Sequence, residues 1–181
     1  MSRVNIIYDV FVSSPGDVVE EREIIGKIVN EINSTHSRVY GKSLNILDFE
    51  SYTYPNRGEY AQGVINEQIG EYDIFIAILG DRFGTPTKVA GSGTEEEIRE
   101  AMRRYDCGEI DNLLIYLSTI PPNMDELDMD QFEKVELFKE ELFKGDSRQL
   151  CDKYGSFEEF EGKIRSDLTN VFVKLEGYGS D

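Results

Sequence analysis

Three stretches of this chain are strand-length and almost continuously apolar: "NIIYDVFVSS" (5–14), "DIFIAILG" (73–80) and "NLLIYLST" (112–119). Runs without polar alternation suit strands buried on both faces, as in a parallel sheet covered by helices. "SLNILDFE" (43–50) predicts another strand, and "SRQLCDKYGS" a short last one. Helical periodicity fills the intervals. Val18, Ile25, Ile28, Val29 and Ile32 recur at helical spacing in "SPGDVVEEREIIGKIVNEIN". A short helix is expected around "EYAQGVINEQIGEY", and "TEEEIREAMRRYD" places Ile98, Ala101 and Met102 on one side. "QFEKVELFKEELFKG" carries the stripe Phe132, Val135, Phe138 and Leu142. "FEEFEGKIRSDLTNVFVKLE" turns Phe157, Phe160, Ile164, Leu168 and Val171/Phe172 inward. Strand and helix alternate throughout, without repeats. The pattern predicts a doubly wound α/β sandwich with a mostly parallel central sheet of about five strands.

At 181 residues the chain has the length of a single domain. Its 36 acidic residues outnumber 19 basic ones, a net charge of −17, which argues against nucleic acid or an anionic membrane as main partner. An anionic small molecule in a locally basic pocket is compatible with that surface. Cys107 and Cys151 lie far apart without metal-ligand spacing, so neither a disulfide framework nor a zinc site is expected, and a reducing cytoplasm is the expected location. No stretch approaches the 18 apolar residues of a membrane span. The only histidine, His36, falls in "NSTHSRVYGK", read as an exposed loop. Any Ser-His-Asp or Cys-His pairing would have to use His36, and HExxH metal sites are absent. Catalysis would have to rest on carboxylates, hydroxyls, Arg, Lys or Tyr.

Ligands of open α/β sheets sit outside the carboxyl ends of the strands. Three predicted loops leave those ends and are expected to converge: Ser13–Asp17, Glu50–Glu59 and Asp81–Thr94. In the first, Ser14 and Asp17 read as a helix cap around Pro15. In the third, "GDRFG" is a turn in which Asp81 caps and Phe83 packs, or both face a ligand. Gly80 and Gly84 serve backbone geometry. "GSGTEEEIREA" (91–101) opens a helix, and Thr94 to Glu97 has capping-box spacing, with Glu95 and Glu96 as solvated partners of the helix dipole. Arg22 suits an ion pair with a neighbouring carboxylate or a ligand contact.

"YDVFVSSPGDVVEER", "YDIFIAILGDRFGTP", "GSGTEEEIREA" and "LFKEEL…YGSFEEFEGKIRSDL", in this order over nearly the whole chain, resemble the TIR-like (Toll/interleukin-1 receptor-like) family of unknown function. Its members often stand N-terminal to NTPase modules in prokaryotic defence proteins. The resemblance implies a flavodoxin/TIR-like three-layer fold, self-association, and a chain that is the N-terminal part of a longer protein. "EEIREA" is similar to the TIR segment Glu-Leu-x-x-Ala, whose glutamate is catalytic in NAD-cleaving members, and this carries the catalytic role onto Glu97. The Trp-Cys dipeptide usual before that glutamate is absent. "SGTEEEI" is also similar to the Ser-Gly-Thr…Glu segment of nucleoside deoxyribosyltransferases, where the glutamate is the nucleophile.

On this resemblance NAD is the substrate, with no cofactor or metal, in an intracellular defence response. Nicotinamide leaves as a neutral molecule, so one carboxylate suffices where ordinary glycosidases need two. Backbone amides at Ser14–Asp17 would meet the diphosphate. Arg22, Arg57 or Arg82 would add charge, and Tyr52, Tyr54 or Phe83 would stack on a ring. Ser13, Asp81 and Thr94 complete the expected binding set. The alternatives are a non-catalytic self-association or adaptor module, in which Glu97 is only a cap, and nucleoside transfer.

Overall fold

The computed structural model describes residues 4–47 and 71–176. Five strands form one all-parallel sheet in the order β2-β1-β3-β4-β5. They are β1 (Ile6–Ser13), β2 (Lys42–Leu47), β3 (Ile74–Leu79), β4 (Asn112–Ser118) and β5 (Cys151–Tyr154). Among the described residues four helices flank it: α1 (Val19–Tyr40), α2 (Gly93–Asp106), α3 (Met129–Lys144) and α4 (Phe157–Lys174). This is the flavodoxin-like doubly wound arrangement that the alternating pattern predicts. The expected helix around 59–72 and the end of the second predicted strand fall mainly outside the described residues.

All six residues of β3 are buried, in agreement with a run that is apolar at every position. Alternate side chains of each strand go to opposite faces. On one face Val10, Ile74, Ile76 and Ile78 pack against Ile25, Ile28 and Ile32 of α1 and Phe160, Ile164 and Leu168 of α4. On the other, Phe11, Phe75, Ala77 and Leu79 meet Ile98 and Ala101 of α2 and Val135, Phe138 and Leu142 of α3. Two buried tyrosines tie the helices of the first face to the sheet. The Tyr154 hydroxyl donates to Glu21 at 2.7 Å and the Tyr116 hydroxyl to Asp167 at 2.6 Å.

On the face covered by α1 and α4, two points differ from the sequence reading. The segment around His36 is not a loop but the last turns of α1, which runs on to Tyr40. Thr35 and Ser34 donate to carbonyls of the preceding turn, and the His36 ring lies edge-on to Phe172 of α4, 6.1 Å between centroids. Gly41, in the left-handed region at φ 64°, ends the helix with its amide on the Ser37 carbonyl. Packing against α4 thus overrides the weak helix propensity of "NSTHS". Phe157, read as inward, is 37% exposed: it is the first residue of α4, directly after the Ser156 cap.

The two cysteines are both free, Cys107 exposed and Cys151 buried. Burial pushes the Cys151 thiol up to about 11. A thiol-reactive dye at pH 8 should therefore titrate one thiol rapidly in the folded protein and two in urea; two rapid thiols in the folded protein would contradict the packing of β5. Among the described residues no helix is long and apolar enough to cross a membrane.

Candidate functional site

Strand order reverses between β1 and β3, and the loops leaving these two strands meet there. Asp17 makes the junction. Its Oδ2 accepts from the amides of Asp81 (2.7 Å) and Arg82 (3.1 Å). Gly80 permits this close approach: a Cβ on it would lie 2.4 Å from Asp17 Oδ2 and 2.7 Å from Val18 Cγ1. Two of the three loops expected to converge therefore do so, and the third, Glu50–Glu59, lies outside the described residues.

Asp17 is thus a bridge between loops and not a helix cap. Ser14 does not cap either: α1 begins at Val19, and no side chain caps it. Ser14 instead receives Arg22. The guanidinium donates from Nε to Ser14 Oγ (2.7 Å) and from Nη2 to the carbonyls of Ser14 (2.9 Å) and Pro15 (3.3 Å). The carboxylate partner considered for Arg22 is replaced by these neutral acceptors. Among the described residues Arg22 forms no ion pair.

The start of α2 is also organised differently from its reading. The cap is Ser92, whose Oγ accepts from the Glu95 amide at 3.0 Å, and not Thr94. Ser92-Gly-Thr-Glu95 is itself a capping-box spacing, two residues earlier than the sequence reading placed it. Glu95 reaches back past the cap and accepts from the Gly91 amide at 2.7 Å, and it also pairs with Arg99 at 2.9 Å. Glu95 is therefore a structural carboxylate and not a solvated one. Replacing Ser92, which is fully buried, with Ala should lower stability by about 1 kcal/mol. Urea unfolding would measure it, and an unchanged midpoint would return the cap to Thr94.

This register releases Glu97 from capping and moves it to the second turn. Thr94, Ile98 and Ala101 are the buried residues of α2, and Glu97 stands beside them, half-buried. Opposite it is the last residue of β1. Ser13 points to the same face as Phe11, two residues before, and that face packs on α2. The buried Ser13 hydroxyl donates to Glu97 Oε2 at 2.6 Å. A carboxylate is thereby fixed at the carboxyl end of a central strand.

Glu97 opens on a cavity of about 620 Å³, the size of a small-molecule site. Its apolar lining comes from the ends of β1 and β2 and from α1: Phe11, Val12, Ile46, Leu47 and Ile25. Ser14, Gly16 and Arg22 contribute from the α1 side, and Gly84, Thr85, Gly93, Thr94 and Glu97 from the α2 side. Sequence reasoning named Ser14, Arg22, Thr94 and Glu97 among these. It missed the apolar lining, although Phe11, Val12, Ile46 and Leu47 stand near the carboxyl ends of two predicted strands.

Other predicted site residues lie elsewhere. Phe83 is only 8% exposed and packs against Phe138 in the core, 5.7 Å between ring centroids. It is a packing residue and not a cavity wall. The backbone around it is held by Gln131, whose Oε1 accepts from the amides of Phe83 (3.1 Å) and Gly84 (2.8 Å). Asp81 and Arg82 supply amides to Asp17, and neither lines the cavity. Burial raises the Asp81 carboxyl above its ordinary range. Tyr52, Tyr54 and Arg57 lie outside the described residues.

Fold and crevice define a flavodoxin-like domain with a small-molecule-sized cavity at the carboxyl ends of β1 and β2, lined by an arginine from α1 and an acid from α2. The chain belongs to the family described as Domain of unknown function (DUF4062), whose family model matches residues 9–169. No curated protein matches the chain.

Proposed function

We propose that this domain cleaves the N-glycosidic bond between nicotinamide and ribose in NAD, with Glu97 as the catalytic carboxylate, in an intracellular defence or signalling response. The observation that carries this reading is the Ser13–Glu97 pair: a carboxylate held at 2.6 Å by a buried hydroxyl, on the wall of a nucleotide-sized cavity, and not engaged in capping its helix. The resemblance of "EEIREA" to the catalytic segment of NAD-cleaving TIR domains points to the same residue.

The chemistry needs little else. As the C1′–N bond breaks, its electron pair stays on the departing nicotinamide, which leaves neutral, and positive charge grows on the ribose. Glu97 stabilises that charge. Water then adds to C1′ and loses a proton, giving ADP-ribose. No general acid is required, which suits a chain with a single histidine, His36, that lies in α1 outside the cavity.

The direct test is nicotinamide release from NAD by concentrated protein, with and without a crowding agent, because clustering completes the site in resembling enzymes. Release that disappears with Glu97→Ala in a folded variant supports the proposal. If no release occurs under any clustering condition, the domain is better read as a non-catalytic self-association module. Exchange of free nucleobases in place of hydrolysis would redirect the reading to nucleoside transfer.

A further inference from the structure

The cavity straddles the sheet. Val12, Ile25 and Ile46 belong to the side core packed by α1, whereas Phe11 and Leu47 belong to the core packed by α2. Its two charged lining groups are correspondingly separated: Arg22 comes from α1 and Glu97 from α2. A ligand filling the space crosses the carboxyl end of β1 with one end over each charge.

Arg22 is built to meet an anion. The edge of its fork formed by Nε and Nη2 is occupied by Ser14 and Pro15, which fixes the guanidinium plane. Among the described residues Nη1 has no acceptor, so its N–H donors are available to a ligand. A guanidinium fixed in advance can donate from Nη1 to a phosphate oxygen as a charge-assisted hydrogen bond.

We propose that the α1 end of the cavity is a phosphate subsite centred on Arg22, and that it orients 5′-phosphorylated nucleosides with the sugar toward Glu97. The inference rests on the reading of Glu97 as the group that faces the sugar. It makes Arg22 a specificity-determining residue: the nicotinamide-side phosphate of NAD is bound here, and nicotinamide mononucleotide retains the whole recognition unit. Nicotinamide riboside, lacking the phosphate, leaves the Nη1 donors without their ligand.

Equilibrium binding tests this separately from turnover. In protein carrying Glu97→Gln, nicotinamide mononucleotide should bind about tenfold to a hundredfold more tightly than nicotinamide riboside, the scale of a hydrogen-bonded charge contact. Arg22→Gln should bring that ratio close to one. Ser14→Ala, which loses the Oγ contact but keeps the guanidinium, should preserve most of it and so controls for disturbance of the loop. Equal affinities, a ratio that survives Arg22→Gln, or no binding of either compound would each overturn the subsite. Nicotinamide release by the unsubstituted protein judges the hydrolase reading on its own. Cleavage without phosphate preference sinks the subsite alone, and phosphate-dependent binding without cleavage leaves the subsite standing.

Discussion

On the proposed hydrolase reading, Glu97→Gln should leave the protein folded and reduce nicotinamide release by about 10²–10³-fold, the range seen when one preorganised electrostatic group is removed from a transition state. Glutamine keeps the shape of the side chain and an oxygen able to accept from Ser13, so the buried hydroxyl retains its partner. What is lost is the negative charge beside the developing cation. The effect should fall on kcat more than on KM, because that cation exists fully only at the transition state. Glu97→Ala is a harsher change. It leaves Ser13 without this acceptor and should also destabilise the fold by about 1–3 kcal/mol. The comparison separates chemistry from structure: a catalytic role makes both variants inactive and only the alanine less stable. Full activity in the glutamine variant would remove Glu97 from the reaction.

The second large effect is expected at Gly80. Its φ is not positive, so the glycine answers to space and not to backbone conformation. A methyl group there would displace the Asp17 carboxylate and Val18, which the Cβ would approach to 2.4 and 2.7 Å. Gly80→Ala should therefore cost about 2–4 kcal/mol, combining overpacking with weakened hydrogen bonds from the amides of Asp81 and Arg82 to a charged acceptor. Urea unfolding gives the number. The mechanism is tested by coupling: in an Asp17→Ala background the nearest clash is gone, and the added cost of Gly80→Ala should shrink by more than 1 kcal/mol or so. Strict additivity would mean that the two loops are not joined through this carboxylate. Because Asp17 links the loops beside the cavity, loss of the junction should also weaken ligand binding.

Much of the fold follows from local pattern. The all-apolar "IFIAIL" of β3 could only be a strand covered on both faces, and the stripes Ile25–Ile28–Ile32 and Ile164–Leu168 could only be helix faces turned to a core. These properties depend on which side chains avoid water and on the periods 2 and 3.6 at which they recur, so they are written along the chain. The meeting of the loops after β1 and β3 was readable too, since loops leaving parallel strands collect at one edge of a sheet.

The assignment of roles was not. Ser92 and Thr94 both have an acidic residue three positions on, and only the packed helix start selects Ser92, releasing Glu97. Ser14 and Asp17 looked like caps because short polar side chains beside a proline usually are. In the fold their partners come from residues 8 and 64 or more positions away, Arg22 and the Asp81–Arg82 amides. Phe83 could pack or stack on a ligand, and the nearness of Phe138 decided for packing. Arg22 and Arg82 were equivalent on paper, and the direction of α1 placed only the first on the cavity. The sequence by itself determined what is buried and with what period, because burial is a property of each side chain. The tertiary structure alone decided which polar groups meet, because a hydrogen bond depends on ångström-scale placement of residues that the chain keeps far apart.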